Sequence, residues 1–208
     1  MKKLFVLVFS LCFALSLYSQ DIEMKPWSIG INAGGYTGMN PMGDYEGNQI
    51  YDMGVYQIDG RIMFNEKVGI KLGSQYNMIN LGDDKVHTDY LKFYLHGVLD
   101  AGELMSFNSE NLGLYIHAGA GAGGMWQKNR FNNPSSRLFD PVDEMITMGG
   151  GINYYIKINE QWSYNLACAY TMHMEQSRNF DMGDLIEETG INGRYMSFTL
   201  GVSYHFDI

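Results

Sequence analysis

The sequence predicts an all-β fold: an eight-stranded antiparallel up-and-down barrel built to cross a membrane. Three observations carry that prediction. Eight segments show period-two alternation, the signature of a strand with two different faces. They run to roughly 11–15 residues, against about 5–6 for an ordinary strand and about 9–11 for one that crosses a bilayer at a tilt. The connections alternate between short turns and long polar loops, the asymmetry of a transmembrane barrel with short periplasmic turns and long extracellular loops.

The leader comes first. "MKKLFVLVFSLCFALSLYSQ" opens with Lys2 and Lys3, continues as an apolar run from Leu4 to Leu17 and ends in small and polar residues. This is the pattern of a secretory signal peptide cleaved after Ser19. It assigns 1–19 to the signal and 20–208 to a single barrel domain. The run is shorter than the roughly 20 residues of a membrane-spanning helix. Cys12 leaves with the leader and Cys168 remains, so a disulfide framework is excluded. The net charge of −9 excludes nucleic acid as a partner, which would require a basic face.

The strands follow in order. Segments 26–37, 88–101 and 145–158 are the weaker candidates. In 53–64, Tyr56, Ile58, Ile62 and Phe64 oppose Gln57, Asp59 and Arg61. In 68–78, Ile70, Leu72 and Tyr76 oppose Lys71, Gln75 and Asn77. In 112–126, Leu114, Ile116 and Trp126 oppose Tyr115 and His117. In 162–172, Trp162, Tyr164, Leu166 and Tyr170 oppose Ser163 and Asn165. The cleanest alternation is the last, where Met196, Phe198, Leu200, Val202, Tyr204 and Phe206 oppose Tyr195, Ser197, Thr199, Ser203 and His205. Three stretches repeat one turn: "FNEKVGIKL" at 64–72, "NSENLGLYI" at 108–116 and "INEQWSYNL" at 158–166. Each marks a hairpin on the periplasmic side. The middle one, "DAGELMSFNSEN", either extends the preceding strand or makes an irregular excursion.

Aromatic residues on the apolar parity fall at two heights. Trp27, Phe64, Trp162, Tyr164, Tyr204 and Phe206 lie near the short turns, and Tyr56, Tyr76, Trp126, Tyr170 and Phe198 lie toward the long loops. Rings of this kind gather at membrane–water boundaries.

With its three Asn-Glu turns, its Gly-rich opening strand "WSIGINAGGYTG" and its closing strand "YMSFTLGVSYHFDI", the chain resembles the OmpA-type transmembrane domain. That family comprises the small eight-stranded outer-membrane barrels, the OmpX-like proteins among them. The resemblance implies residence in the outer membrane of a Gram-negative bacterium. It implies contact with outer-membrane lipid and lipopolysaccharide, passage through the barrel-assembly machinery, and no cofactor.

The inward parity collects polar residues. Asp59, Arg61, Lys71, His117, Lys157 and His205 gather in its periplasmic half. An eight-stranded barrel has little room beyond its own side chains, and buried charges must pair. The expectation is therefore a packed polar lumen and a non-enzymatic protein with a structural or surface-interaction role. A narrow channel for small anions is the first alternative. The long connections at 38–52, 79–89, 127–144 and 173–193 hold 14 acidic residues against 5 basic ones. They suit divalent cations bridging to lipopolysaccharide phosphates, or an extracellular partner. "TMHMEQS" at 171–177 raises two further alternatives. Met172, His173 and Met174 are soft-metal ligands, and His173 with Ser177 would suit a lipid A-modifying enzyme.

Overall fold

The computed structural model describes residues 25–40, 52–81, 86–105, 111–127, 143–176 and 193–207. Eight strands run in chain order: β1 (Trp27–Asn40), β2 (Asp52–Met63), β3 (Val68–Leu81), β4 (Val86–Asp100), β5 (Leu112–Gln127), β6 (Asp143–Lys157), β7 (Trp162–Met174) and β8 (Arg194–Phe206). Each pairs antiparallel with its neighbours. β1 pairs with β8, from Trp27 opposite Phe206 to Asn40 opposite Arg194, so the sheet closes into a barrel. Closure satisfies every strand edge, as hydrocarbon surroundings demand. Beside the seam, half-buried Lys25 meets exposed Asp207 at 2.9 Å.

The strands are longer than the alternation alone suggests. β3 reaches Leu81 and β4 starts at Val86, so the sequence between them is shorter than the 79–88 connection read from composition. Asp52, Asp89, Asp143 and Glu144, read as loop residues, stand on strands. A short helix, α1 (Ala101–Met105), follows β4, so the strand ends at Asp100 and is not extended by the residues after it.

The repeated turn has one physical cause in the two copies that lie fully within the described residues. Asn65 Oδ1 accepts from the backbone N–H groups of Lys67 and Val68, both at 2.9 Å. Asn159 Oδ1 accepts from those of Gln161 at 2.9 Å and Trp162 at 2.8 Å. The backbone closes identically, with Phe64 N donating to Val68 O and Ile158 N to Trp162 O, each at 2.8 Å. An Asn side chain here supplies the acceptor that the turn backbone lacks. The first three residues of the middle copy, 108–110, lie outside the described residues.

Burial is inverted relative to a water-soluble protein. Leu200 is 66% exposed, and Ile29, Ile31, Ile58, Leu72, Phe93, Leu95, Ile116, Ile152 and Leu166 are exposed with it. The buried set is instead rich in Asn, Ser, Thr, His, Lys and Asp. Water would not tolerate so continuous an apolar exterior. A bilayer requires it, so the wall is membrane-spanning.

The outer rings edge that apolar zone. At the lower end Trp27 stacks with Phe206 at 6.4 Å, Tyr204 with Phe206 at 6.0 Å, and Trp162 meets Tyr204 at 5.0 Å. Phe64 and Tyr164 are exposed at the same end. At the other end Tyr56 stacks on Tyr76 at 6.5 Å, with Tyr170 and Phe198 exposed and Trp126 half-buried. Along β7 the separation from Trp162 to Tyr170 is about 26 Å of strand at 3.3 Å per residue. A tilt of about 40° reduces that to about 20 Å of height, close to the apolar band of about 25 Å in barrels of this kind.

Candidate functional site in the barrel lumen

The wall carries lipid-facing residues, so the chemistry lies inside it. Inward side chains form three layers between the turn end and the loop end.

The lowest layer is built around Arg61 on β2, which is 1% exposed. Its guanidinium lies 4.2 Å from the centre of the Tyr115 ring on β5 and 4.8 Å from that of Tyr155 on β6. The two rings meet edge to face at 5.1 Å, and Val98 and Met63 pack against them. Aromatic faces attract a desolvated cation, so the rings hold Arg61 where no hydrogen bond among the described residues does. On the opposite wall His205 Nε2 pairs with Ser163 Oγ at 2.8 Å. Lys157 ends β6 half-buried at this rim.

The middle layer is a connected polar network. The Asp59 carboxylate accepts from Gln57 Nε2 at 2.7 Å and Asn32 Nδ2 at 3.1 Å, and it faces Lys71 Nζ at 3.4 Å. Asn165 Nδ2 continues the network to Asn32 Oδ1 at 3.2 Å and Ser203 Oγ at 2.7 Å. One orientation of the Asn153 amide satisfies all its neighbours. Its oxygen then accepts from Lys71 Nζ at 3.0 Å and Tyr155 Oη at 3.2 Å, and its nitrogen donates to His117 Nε2 at 3.2 Å. That assignment fixes the next link. His117 accepts at Nε2, so it carries its proton on Nδ1 and donates to His96 Nδ1, 2.8 Å away. The chain Lys71–Asn153–His117–His96 therefore has one hydrogen-bond direction.

The upper layer is a tyrosine lid. Lys92 Nζ donates to Thr171 Oγ1 at 2.7 Å and lies 5.1 Å from the Tyr195 ring and 5.6 Å from the Tyr94 ring. Tyr195 meets Tyr90 at 6.2 Å and Tyr36 at 6.3 Å, both edge to face. Val55, Met125 and Met145 fill the space around them. The chain leaves β7 through Glu175 at φ 61°, and Gln176 turns back to hold His173 Nδ1 at 3.2 Å and the Gly193 N–H at 2.9 Å.

Glycines make room for the crossing rings. A Cβ on Gly73 would fall 2.5 Å from Tyr94 Cζ, and one on Gly123 would fall 2.8 Å from Tyr90 Cε2. What space remains between the middle and upper layers is a cavity of about 20 Å³.

The structure thus joins Asp59, Lys71 and His117 in one network and places Arg61 and His205 in the layer below. It also shows what parity reasoning passed over. Tyr36, Tyr90, Tyr94 and Tyr155 point inward, and with Tyr195 they do much of the filling. Their register with Lys92, His96 and Asn153 was the available signal.

His173 lies on β7, fully buried with its ring tilted 50° to that of Tyr90 at 5.0 Å, and not in a loop. Alternation sends Met172 and Met174 to the opposite side of the wall, so these three residues do not converge on a soft metal. His173 itself is buried on the lumen side, and Ser177, its partner in the lipid A alternative, lies outside the described residues. Among the described residues no group of three His, Cys, Asp or Glu side chains is placed to hold a metal ion. Cys168 stands opposite Phe198 and Ile152, on the lipid-facing side.

No protein-family model matches the chain, and no curated protein matches it. Solved structures do. Neisserial surface protein A is similar at 10% identity and a TM-score of 0.61, over 87% of this chain and 97% of that one. OprG of Pseudomonas aeruginosa is similar at 15% identity and a TM-score of 0.48, over 91% of this chain and 100% of that one. Ail, the attachment invasion locus protein of Yersinia pestis, is similar at 15% identity and a TM-score of 0.44, over 86% and 96%. The fold is that of the small eight-stranded outer-membrane β-barrels.

Proposed function

We propose that this chain is a non-enzymatic outer-membrane protein of a Gram-negative bacterium, whose barrel is a closed anchor and whose work is done at its extracellular connections. The observation that carries this reading is the filled lumen. A layer of Arg61 and two tyrosines, an amide–carboxylate–imidazole network and a tyrosine lid occupy it in turn. Among the described residues, the cavity of about 20 Å³ between the middle and upper layers has room for about one water molecule, which supports a plug over a solute path. Outside, the apolar belt meets outer-membrane lipid and lipopolysaccharide, and the barrel-assembly machinery would insert it. The acidic connections, most of which lie outside the described residues, supply the surface for a cationic or cation-bridged partner.

The test is conductance of the refolded chain in a planar bilayer at both polarities, with insertion verified by protease protection. Inserted protein that stays electrically silent supports the anchor reading. Reproducible small steps with anion preference would overturn it in favour of a narrow channel.

A further inference from the structure

We infer that the small cavity lined by Lys71 and Lys92 is a binding site for one small monovalent anion of the halide class. The cavity brings together two ammonium groups that are 2% and 5% exposed, the His96–His117 pair and the Thr171 hydroxyl. Among the described residues its lining contains no carboxylate. Asp59 stands outside that lining, and its carboxylate already serves Lys71, Asn32 and Gln57.

Among the described residues, one carboxylate, Asp59, therefore answers two buried cations in this part of the barrel. Lys92 has a neutral hydroxyl at 2.7 Å and two neutral ring faces beyond 5 Å. An ammonium carries three donors, and a desolvated one without a counter-charge is strongly disfavoured. Thr171 accepts from Lys92, which leaves its own proton free to point into the void. Two ammonium groups and a hydroxyl donor around a space of about 20 Å³ suit an ion little larger than water. Sulfate, phosphate and organic carboxylates are too large. This inference goes beyond the surface role and does not depend on it, because a trapped structural anion and a conducting one would occupy the same place.

The test has two arms. The first is crystals of the refolded chain grown in bromide, examined for anomalous scattering. The second is the urea unfolding midpoint in detergent micelles, in potassium chloride against potassium gluconate at equal ionic strength, which removes general screening. The expected results are a bromide peak between Lys71 and Lys92, and a wild-type midpoint that rises with the logarithm of chloride concentration. Lys92→Met should lose both. Should Lys92→Met fail to fold, Thr171→Val keeps both cations and should weaken the apparent halide affinity about tenfold. A cavity holding only water, bromide bound only at the outer surface, equal wild-type midpoints in the two salts, or unchanged halide dependence in the variant that folds would each overturn the inference.

Discussion

Asp59→Ala removes the carboxylate that holds Lys71, and the structure sets the size of the effect. Lys71 is 2% exposed and faces Asp59 at 3.4 Å. Breaking a buried pair by deleting one partner costs about 3–5 kcal/mol, because the surviving charge stays desolvated. Lys71 keeps the Asn153 oxygen at 3.0 Å, which places its share near the lower limit, about 3 kcal/mol. Asn32 Nδ2 loses its buried acceptor at 3.1 Å, a further cost of about 1 kcal/mol. Gln57 is only part-buried and can turn toward other partners. The expected loss is about 4 kcal/mol, roughly a thousandfold in the folding equilibrium. The assay is urea unfolding in micelles, followed by tryptophan fluorescence and by the mobility difference between folded and unfolded barrel on gels. Asp59→Ala combined with Lys71→Met removes the stranded charge and should recover most of the loss, to within about 1–2 kcal/mol of wild type. A loss below about 1 kcal/mol for the single variant, or a double variant no more stable than the single one, would refute the view that a desolvated ion pair organises the middle layer.

Three more outcomes follow from particular contacts. Leu200→Arg places a charge on the lipid face near mid-strand, where the side chain is 66% exposed, and should cost about 2–4 kcal/mol of folding into vesicles; a neutral result would remove the barrel from the bilayer. Gly73→Ala drives a methyl into the Tyr94 ring, 2.5 Å from Cζ, and should destabilise by about 1–3 kcal/mol, whereas Gly60→Ala, whose nearest neighbour would be 3.9 Å away, serves as the mild control. Asn65→Ala and Asn159→Ala each remove one acceptor that serves two backbone N–H groups, and should each cost about 1 kcal/mol, additively, when unfolding midpoints are compared.

Strand order, parity and closure could be read from the chain because each depends on a local rule. A strand between lipid and a polar lumen must alternate, and β8 does so from Tyr195 to Phe206 with no exception that matters. The Asn-Glu turns were legible for the same reason, since one side chain and the next three residues determine them. β4 and β6 read less clearly, because their inward positions carry Tyr90, Tyr94 and Tyr155 beside Lys92, His96 and Asn153. Tyrosine is apolar by composition and polar by its hydroxyl, so periodicity alone does not say which side of the wall it takes. α1 had too few residues to show a helical period.

By itself, the sequence determined the lipid-facing and lumen-facing parity of the strands whose residues are clearly apolar or polar, because bilayer and backbone together impose a period of two; it left the tyrosines of β1, β4 and β6 unassigned. It also determined that the lumen would be charged and crowded. Only the tertiary structure decided the pairings: Asp59 with Lys71, Arg61 between two rings, His117 donating to His96, and Lys92 beside a void that no carboxylate among the described residues lines. Those partners come from strands far apart in the chain. Their meeting depends on shear, on ring size and on glycines such as Gly73 that leave space for a crossing tyrosine. These are properties of the closed barrel, and no single strand contains them.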